Sequence, residues 1–263
     1  MSRMKRERID KLLVECGLAP TRTKAQAMVM AGVVLVEEQL VNKPSEKFSA
    51  EANIRIKGAG DPASRYVGRG GLKMEAALRE FQIDVSGWLC LDVGASTGGF
   101  TDCLLQHGAR QVVAVDVGRN QFDWRLRGDP RVEVREGVNA RYLKPDDFDQ
   151  KFDLATIDVS FISATKILPA IVRLLTNQGR IITLIKPQFE VGKGEVGKGG
   201  IVNDPAQHER VIDAVNRAAQ ELRLRVGGVI SSPIRGAEGN VEFLALYESV
   251  EAVRSVPGAV ATG

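Results

Sequence analysis

Cysteine is scarce in this chain of 263 residues, which holds three. Cys16, Cys90 and Cys103 form no C-x-x-C pair, so neither a zinc site nor a disulfide framework is suggested, and no metal is expected. Cys16 and Cys90 sit in apolar patterns and read as small core residues; a reducing cytoplasm fits. Long apolar runs are also missing: none approaches the roughly 20 residues a membrane helix needs. The opening residues MSRMKRERID lack a hydrophobic signal segment. A soluble cytoplasmic protein is expected, monomeric and without a membrane partner. A strong charge of one sign is lacking too. The net charge of +3 is mild, but residues 1–70 hold 13 Lys/Arg against 8 Asp/Glu, while the remainder is slightly acidic. A basic front favours an anionic partner there, although a solvated basic face gives the same count.

What is present is ordinary globular composition, 44% hydrophobic and 26% charged, with length enough for two domains. In the front part Ile9, Leu12, Leu13 and Cys16 form one helical stripe that Gly17 stops. Thr21 or Thr23 can cap a second helix carrying Ala25, Met28 and Val29 inward, which ends at Gly32. Val33–Val36 and Leu40–Val41 read as a hairpin, and Asn53–Lys57 as another strand. KGAGDPAS (57–64) has linker composition. Strands then alternate with helices. The strands are expected at Leu89–Val93, Gln111–Asp116, Val132–Arg135, Phe152–Ile157, Arg180–Ile185, Leu224–Ser231 and Val241–Tyr247. The helices are expected at Gly71–Gln82, Gly98–His107, Thr165–Leu175 and Ala206–Leu222. Such alternation predicts an α/β, Rossmann-like sheet, mostly parallel, behind a small α+β domain. The short return Ser232–Asn240 predicts that the last strand runs antiparallel. The divisions are placed at 1–60, 61–70 (linker), 71–248 and 249–263, the last a disordered tail.

LDVGASTGGFTD (91–102) is the most informative stretch: an apolar strand, a glycine turn, then a helix. Glycines let backbone approach a ligand, and a helix N-terminus offers free N–H groups. The spacing G-x-x-x-G-G after Asp92 is not the dinucleotide fingerprint. It is the form found in S-adenosylmethionine enzymes, whose ligand ends in an ammonium and a carboxylate. Asp92 is expected to meet the cation, directly or through water. The loop residues Gly94, Ala95, Ser96, Gly98, Gly99 and Phe100 are expected around the anion. Asp116, ending the second strand beside Val117, is placed to accept from both ribose hydroxyls, and Asn139 is the candidate at the adenine. Each Asp singly reads as well as a turn residue.

Asp158 closes the fourth strand, Lys186 closes the fifth, and Glu242 is expected inside the final strand; Lys73 heads the first helix of this part. Ligands bind beyond the carboxyl ends of parallel strands, so these four are the catalytic candidates. A ribose hydroxyl must lose its proton as it attacks. A lysine takes that proton only when neutral, a state favoured by burial and by a neighbouring lysine. Asp158 and Glu242 would hold the two ammonium groups, Lys186 being the candidate base. Two rival chemistries lack their signatures. The N/D-P-P-F/Y/W tetrapeptide of amino-group methylation is replaced by Asp158-Val159-Ser160-Phe161, and no cysteine nucleophile lies near Asp158 or Lys186. VGKGEVGKGG (191–200) could touch phosphate or close over the site, though as a pattern it is a flexible loop.

Residues 6–57 resemble the RNA-binding domain first seen in the fourth ribosomal small-subunit protein, through RIDKLLVECGLAPTRTKAQAMVMAGVVLVEEQLVNKP. Residues 65–248 resemble the FtsJ-like 2′-O-methyltransferases through VGRGGLK, DVGASTGGF, IDVSFIS and IKPQFEVGK. The joined arrangement is similar to the TlyA family of ribosomal RNA methyltransferases, often labelled hemolysins. The resemblance implies a catalytic tetrad of Lys73, Asp158, Lys186 and Glu242, with S-adenosylmethionine as cofactor. It implies a cytidine 2′-hydroxyl in ribosomal RNA or ribosomal subunits as target, and a coupling linker at Arg65–Val67. Tyr66 stands where tryptophan is expected, and Gly71-Leu72 where Ala-His is common. RNA phosphates are expected at Arg3, Lys5, Arg6, Arg8, Lys11, Arg22, Lys24, Arg65 and Arg69. The alternatives are a non-catalytic RNA-binding assembly factor and a membrane-lytic protein.

Overall fold

The computed structural model describes residues 6–30, 32–37, 39–56, 65–192, 194–236 and 239–250. The chain divides into two compact units, Met1–Arg65 and Tyr66–Gly263.

The first unit runs β1 (Arg6–Arg8), α1 (Ile9–Glu15), α2 (Arg22–Met30), β2 (Val34–Val36), β3 (Gln39–Leu40), β4 (Lys47–Ser49) and β5 (Ile54–Ile56). Its core joins Ile9, Leu12 and Leu13 of α1 to Ala25 and Val29 of α2 and to Val34 and Val36 of β2. Gly17 takes φ 69°, the left-handed exit expected after α1. Thr21 is the cap of α2, its hydroxyl accepting from Lys24 N at 3.2 Å. β2 pairs antiparallel with β3, as the hairpin reading required, and with β5. β1 pairs antiparallel with β4, a ribbon the sequence reading did not contain. The residues of β1, Arg-Glu-Arg, have no apolar alternation to signal a strand. Cys16 is exposed rather than part of the core, because it follows the last turn of α1.

The second unit carries a seven-stranded sheet in the order β11-β12-β10-β9-β6-β7-β8. These strands are β6 (Leu89–Val93), β7 (Gln111–Asp116), β8 (Val132–Glu136), β9 (Phe152–Ile157), β10 (Leu175–Ile185), β11 (Leu224–Ser231) and β12 (Phe243–Ser249). β12 is antiparallel to both neighbours, and the other pairings are parallel. Every residue of β6 is buried, as expected of a strand covered on both faces. One face packs on α6 (Leu168–Ile171) and α8 (Pro205–Glu221), with Leu91, Val93, Ile171 and Val215 in one cluster. The other packs on α3 (Gly70–Glu80) and α4 (Gly99–Gln106), with Met74, Cys90, Phe100 and Leu104 in a second cluster. Short helices α5 (Trp124–Arg127) and α7 (Pro187–Glu190) follow β7 and β10.

Three expectations are corrected. The helix expected over Thr165–Leu175 is a 3-10 turn at Ala164–Lys166, the single turn of α6, and a second 3-10 turn at Val172–Leu174. Pro169 lacks an N–H and is tolerated only where a helix starts, so the helix begins anew there. β10 starts at Leu175 and shifts register between Leu175 and Arg180. The last strand starts at Phe243, which leaves Glu242 just before it rather than within it.

Candidate active site

The four candidate catalytic residues come to one rim of the sheet. Asp158 and Lys186 follow the last residues of β9 and β10, and Lys73 sits in the first turn of α3. Glu242 reaches the same rim from the opposite direction, because β12 begins where its parallel neighbours end. Ile185 pairs with Phe243, which sets Lys186 and Glu242 at adjoining strand ends. The four divide into two ion pairs, one acid to each lysine. Lys73 Nζ lies 2.5 Å from Glu242 Oε2, and Lys186 Nζ lies 2.6 Å from Asp158 Oδ1. Lys186 also donates to Ser160 Oγ at 3.0 Å. Lys73 is 8% exposed and Glu242 2%, so the first pair is nearly sealed. A cavity of about 310 Å³ is lined by both Lys73 and Asp158, with Arg69, Gly94, Ala95, Gly99 and Phe100 among its walls.

A second cavity of about 460 Å³ shares Gly94, Ser96 and Asp158 with the first and runs past Asp116, Val117 and Asn139. Its volume suits a nucleoside-sized ligand. Gly94 has φ 83°, and a Cβ there would lie 2.3 Å from the Asp158 carbonyl oxygen, so only glycine lets the loop pass the end of β9. Asp116 is held by Ser96 N at 2.8 Å and Gly118 N at 2.6 Å. A carboxylate offers about four acceptor positions, so Asp116 keeps capacity for hydroxyl donors. Val117 beside it is 72% exposed, an apolar surface at the pocket wall that a flat ring would cover. Asn139 lines the same cavity while its side chain caps the turn Ala140–Tyr142. A carboxylate at one end of an apolar slot fits the adenosine of S-adenosylmethionine. A larger open cleft of about 520 Å³, beside Trp88, Asp153 and Arg180, borders the starts of the parallel strands, away from the rim where ligands bind.

Two expected cofactor contacts face elsewhere. Asp92 is fully buried and lines neither cavity. Its carboxylate accepts from Thr101 N at 3.0 Å, Thr101 Oγ1 at 2.7 Å and Thr156 Oγ1 at 2.9 Å, pinning α4 and β9 to β6. Burial pushes the carboxyl up to about 6, against the lowering effect of those hydrogen bonds. Gly98, at φ 93°, backs onto Leu126 and Phe122, where a Cβ would lie 2.6 Å from Leu126 Cδ1. Its freedom serves packing beneath the loop.

Of the expected RNA contacts, Arg3 and Lys5 lie outside the described residues, as do linker residues 57–64 and tail residues 251–263. Arg8 and Arg22 both bind Asp10, at 2.9 and 3.2 Å, and Gln26 donates to it at 2.8 Å. Asp10 is inaccessible because these side chains cover it, while the two arginines stay partly exposed. Arg6 donates to the Lys47 carbonyl at 2.8 Å, and Lys11 pairs with Glu7 at 2.8 Å. Lys24 and Arg65 are exposed, whereas Arg69 lines the cavity that Lys73 lines. Tyr66 is buried in the second unit's core. A Cβ on Gly71 would lie 2.2 Å from the Tyr66 ring, so glycine at 71 makes room for this tyrosine. In the loop 191–200, Glu195 pairs with Arg210 at 2.5 Å, and Asn240 fastens the loop's end by donating to the Gly200 carbonyl at 2.9 Å.

Sequence reasoning missed Ser160 and Phe161, which both line the second cavity. Phe161 is 89% exposed at φ 64°, its ring 5.1 Å from that of Phe189. A serine and a phenylalanine in a strand-end loop carry no pattern that could have singled them out.

Residues 66–248 match the model of the FtsJ-like methyltransferases, and residues 7–54 match that of the S4 domain. A candidate rRNA methyltransferase of Bacillus subtilis, YqxC, is 49% identical, over 91% of this chain and 85% of that protein. The 16S/23S rRNA (cytidine-2′-O)-methyltransferase TlyA of Mycobacterium tuberculosis is 46% identical, over 91% of this chain and 88% of its own length. A solved structure from Streptococcus thermophilus, described as a hemolysin candidate, superposes with a TM-score of 0.74 at 44% identity, covering 95% of this chain and 90% of that one.

Proposed function

Because this chain belongs to the FtsJ-like methyltransferase family and carries an S4 domain ahead of it, we propose that it methylates a ribose 2′-hydroxyl, that of a cytidine, in ribosomal RNA. The observation that carries this reading is the meeting of two lysine–carboxylate pairs beside a slot that ends in Asp116. S-adenosylmethionine supplies, when bound, a methyl group on a positively charged sulfur. Asp116, at one end of the slot, would accept from the ribose hydroxyls, and the glycine at 94 lets the turn pass the end of β9 beside it. Lys186, steadied by Asp158 and Ser160, orients the acceptor hydroxyl and, when neutral, takes its proton. Lys73 and Glu242 neutralise each other beneath the rim, so neither is left as a bare buried charge.

The relatives support a ribosomal RNA target: YqxC is named for rRNA methylation and TlyA for cytidine 2′-O-methylation. The S4 domain would hold RNA through phosphates, with Arg8 and Arg22 set by Asp10 as a pair of forked donors. Carbon methylation through a cysteine adduct is disfavoured. Cys90 and Cys103 are both buried, and burial raises the Cys90 thiol above its ordinary range, away from a reactive thiolate. A membrane-lytic role has no support in the helices, none of which, among the described residues, is long and apolar enough to cross a membrane. The test is incubation of the protein and its Lys186→Ala variant with methyl-labelled donor and ribosomal subunits, followed by mapping of 2′-O-methyl marks. The variant should bind S-adenosylmethionine within about twofold of the original and transfer nothing. Normal turnover by Lys186→Ala would refute the assignment.

A further inference from the structure

We infer that Glu190 is a positioning residue, whose carboxylate latches the loop after β9 to the helix after β10 and so fixes Asp158 and Ser160 against Lys186. This rests on the reading of Lys186 as the group that handles the acceptor hydroxyl. Glu190 is the last residue of α7, whose first residue follows Lys186 directly. Its Oε2 accepts from Ser163 Oγ at 2.5 Å, and its Oε1 accepts from Ala164 N at 2.7 Å. Ser163 in turn caps the turn Ala164–Lys166 and meets Thr165 Oγ1 at 2.6 Å. The loop from Asp158 to Ala164 is thereby fastened twice to the same short segment. The near fastening is Asp158 and Ser160 on Lys186, and the far one is Ser163 and Ala164 on Glu190.

Between the fastenings stands Phe161 in the left-handed region, a costly conformation for a bulky side chain. Such residues persist only where the surroundings over-determine them. Phe161 is 89% exposed, so core packing does not supply that determination; the two fastenings do. Glu190 lines neither cavity, so it acts on the acceptor only through the loop. Burial raises its carboxyl, while the bonds from Ser163 and Ala164 pull the other way. A half-buried carboxylate with both oxygens engaged is suited to fixing geometry.

The experiment compares Glu190→Ala, Glu190→Gln and Ser163→Ala in the full chain, with ribosomal subunits as acceptor. Glu190→Ala should lose about 100-fold in kcat, the scale of an ångström-sized misplacement, while S-adenosylmethionine affinity stays within about twofold. The Ala164 amide should exchange with solvent faster. Glu190→Gln should restore kcat to within about fivefold, because its carbonyl can accept from Ala164 and its amide can donate to Ser163, whose proton then turns to Thr165. If Glu190→Ala does not fold, Ser163→Ala removes one fastening only and should lose about tenfold in kcat at unchanged cofactor affinity. Full kcat in Glu190→Ala, or in Ser163→Ala where that is the variant read, overturns the inference. So does a Glu190→Gln protein as impaired as Glu190→Ala with Ala164 still protected. Amide exchange is read without turnover. A wild-type chain that marks no ribosomal RNA would overturn the proposed function and leave the exchange data to judge the latch.

Discussion

Removing both members of the Lys73–Glu242 pair should destabilise the second unit by clearly less than the sum of the two single removals. The charges lie 2.5 Å apart with side chains 10% and 2% exposed. At an effective dielectric of about 20, their attraction is about 7 kcal/mol, much of it offset by the cost of taking both from water. A single loss leaves the other charge buried without a partner, which costs about 3–5 kcal/mol. Lys73→Met and Glu242→Gln should each show this cost, and the double variant should recover at least about 2 kcal/mol of their sum. The assay is urea unfolding followed by tryptophan fluorescence. Both tryptophans, Trp88 and Trp124, lie in the second unit, so the signal reports that unit rather than the S4 domain. All three variants should fail to transfer methyl groups. If the two single costs simply add in the double variant, the lysine and glutamate are not coupled and the paired reading of the site is wrong.

Two pH dependences follow from buried carboxylates of opposite sign. Asp92 is pushed up to about 6 by burial, so the native state holds its proton more tightly than the unfolded chain does. Its contribution is therefore greatest below about pH 4 and falls as pH rises to about 6, by about 3 kcal/mol. Asp92→Asn should remove that slope from the fluorescence-detected unfolding of the second unit, and identical slopes with and without the substitution would contradict the assignment. Asp10 is held below the usual carboxylate range, chiefly by the hydrogen bond from Arg8, with Gln26 and Arg22 adding to it. Its stabilisation is present above about pH 4 and lost as pH falls below it. In amide NMR of the full chain, Asp10→Asn should loosen the S4 domain at pH 7, and the gap to the original should shrink in acid. A constant gap from pH 7 to pH 3 would show that Asp10 is not the group responsible.

Elements with a strong period or a strong stop were legible in the sequence, and those set by tertiary pairing were not. β6, β7 and β9 lie where their apolar runs placed them, and Gly17 and Gly32 end α1 and α2 in the left-handed region. β1 and β4 escaped because three polar-rich residues become a strand only when a partner strand supplies the ladder. The site was legible to the extent that its chemistry sits at strand ends: Asp158 and Lys186 could be named from apolar runs that stop in a charge. Which acid serves which lysine was not legible, because pairing depends on the reach of Lys73 from α3 to a residue 169 positions away. Asp92 shows the opposite limit. Its place before the glycine turn looks like a ligand contact, yet Thr101 and Thr156, ordinary residues in sequence, claim its oxygens.

The direction of β12 has a functional consequence that the strand count alone does not reveal. In a sheet with every strand parallel, Glu242 would precede a seven-residue strand at the far rim, about 20 Å from Lys73 at roughly 3.3 Å per residue. Inserting β12 antiparallel between β10 and β11 turns its start toward the carboxyl ends of β9 and β10. The short return after β11 then carries both a structural and a chemical element. Asn240 ties it to Gly200 and Val202, and Glu242, two residues later, completes the buried pair. The reversed strand is therefore what lets one rim hold two acids and two lysines, with the second acid supplied from a segment that arrives after the rest of the parallel sheet is complete.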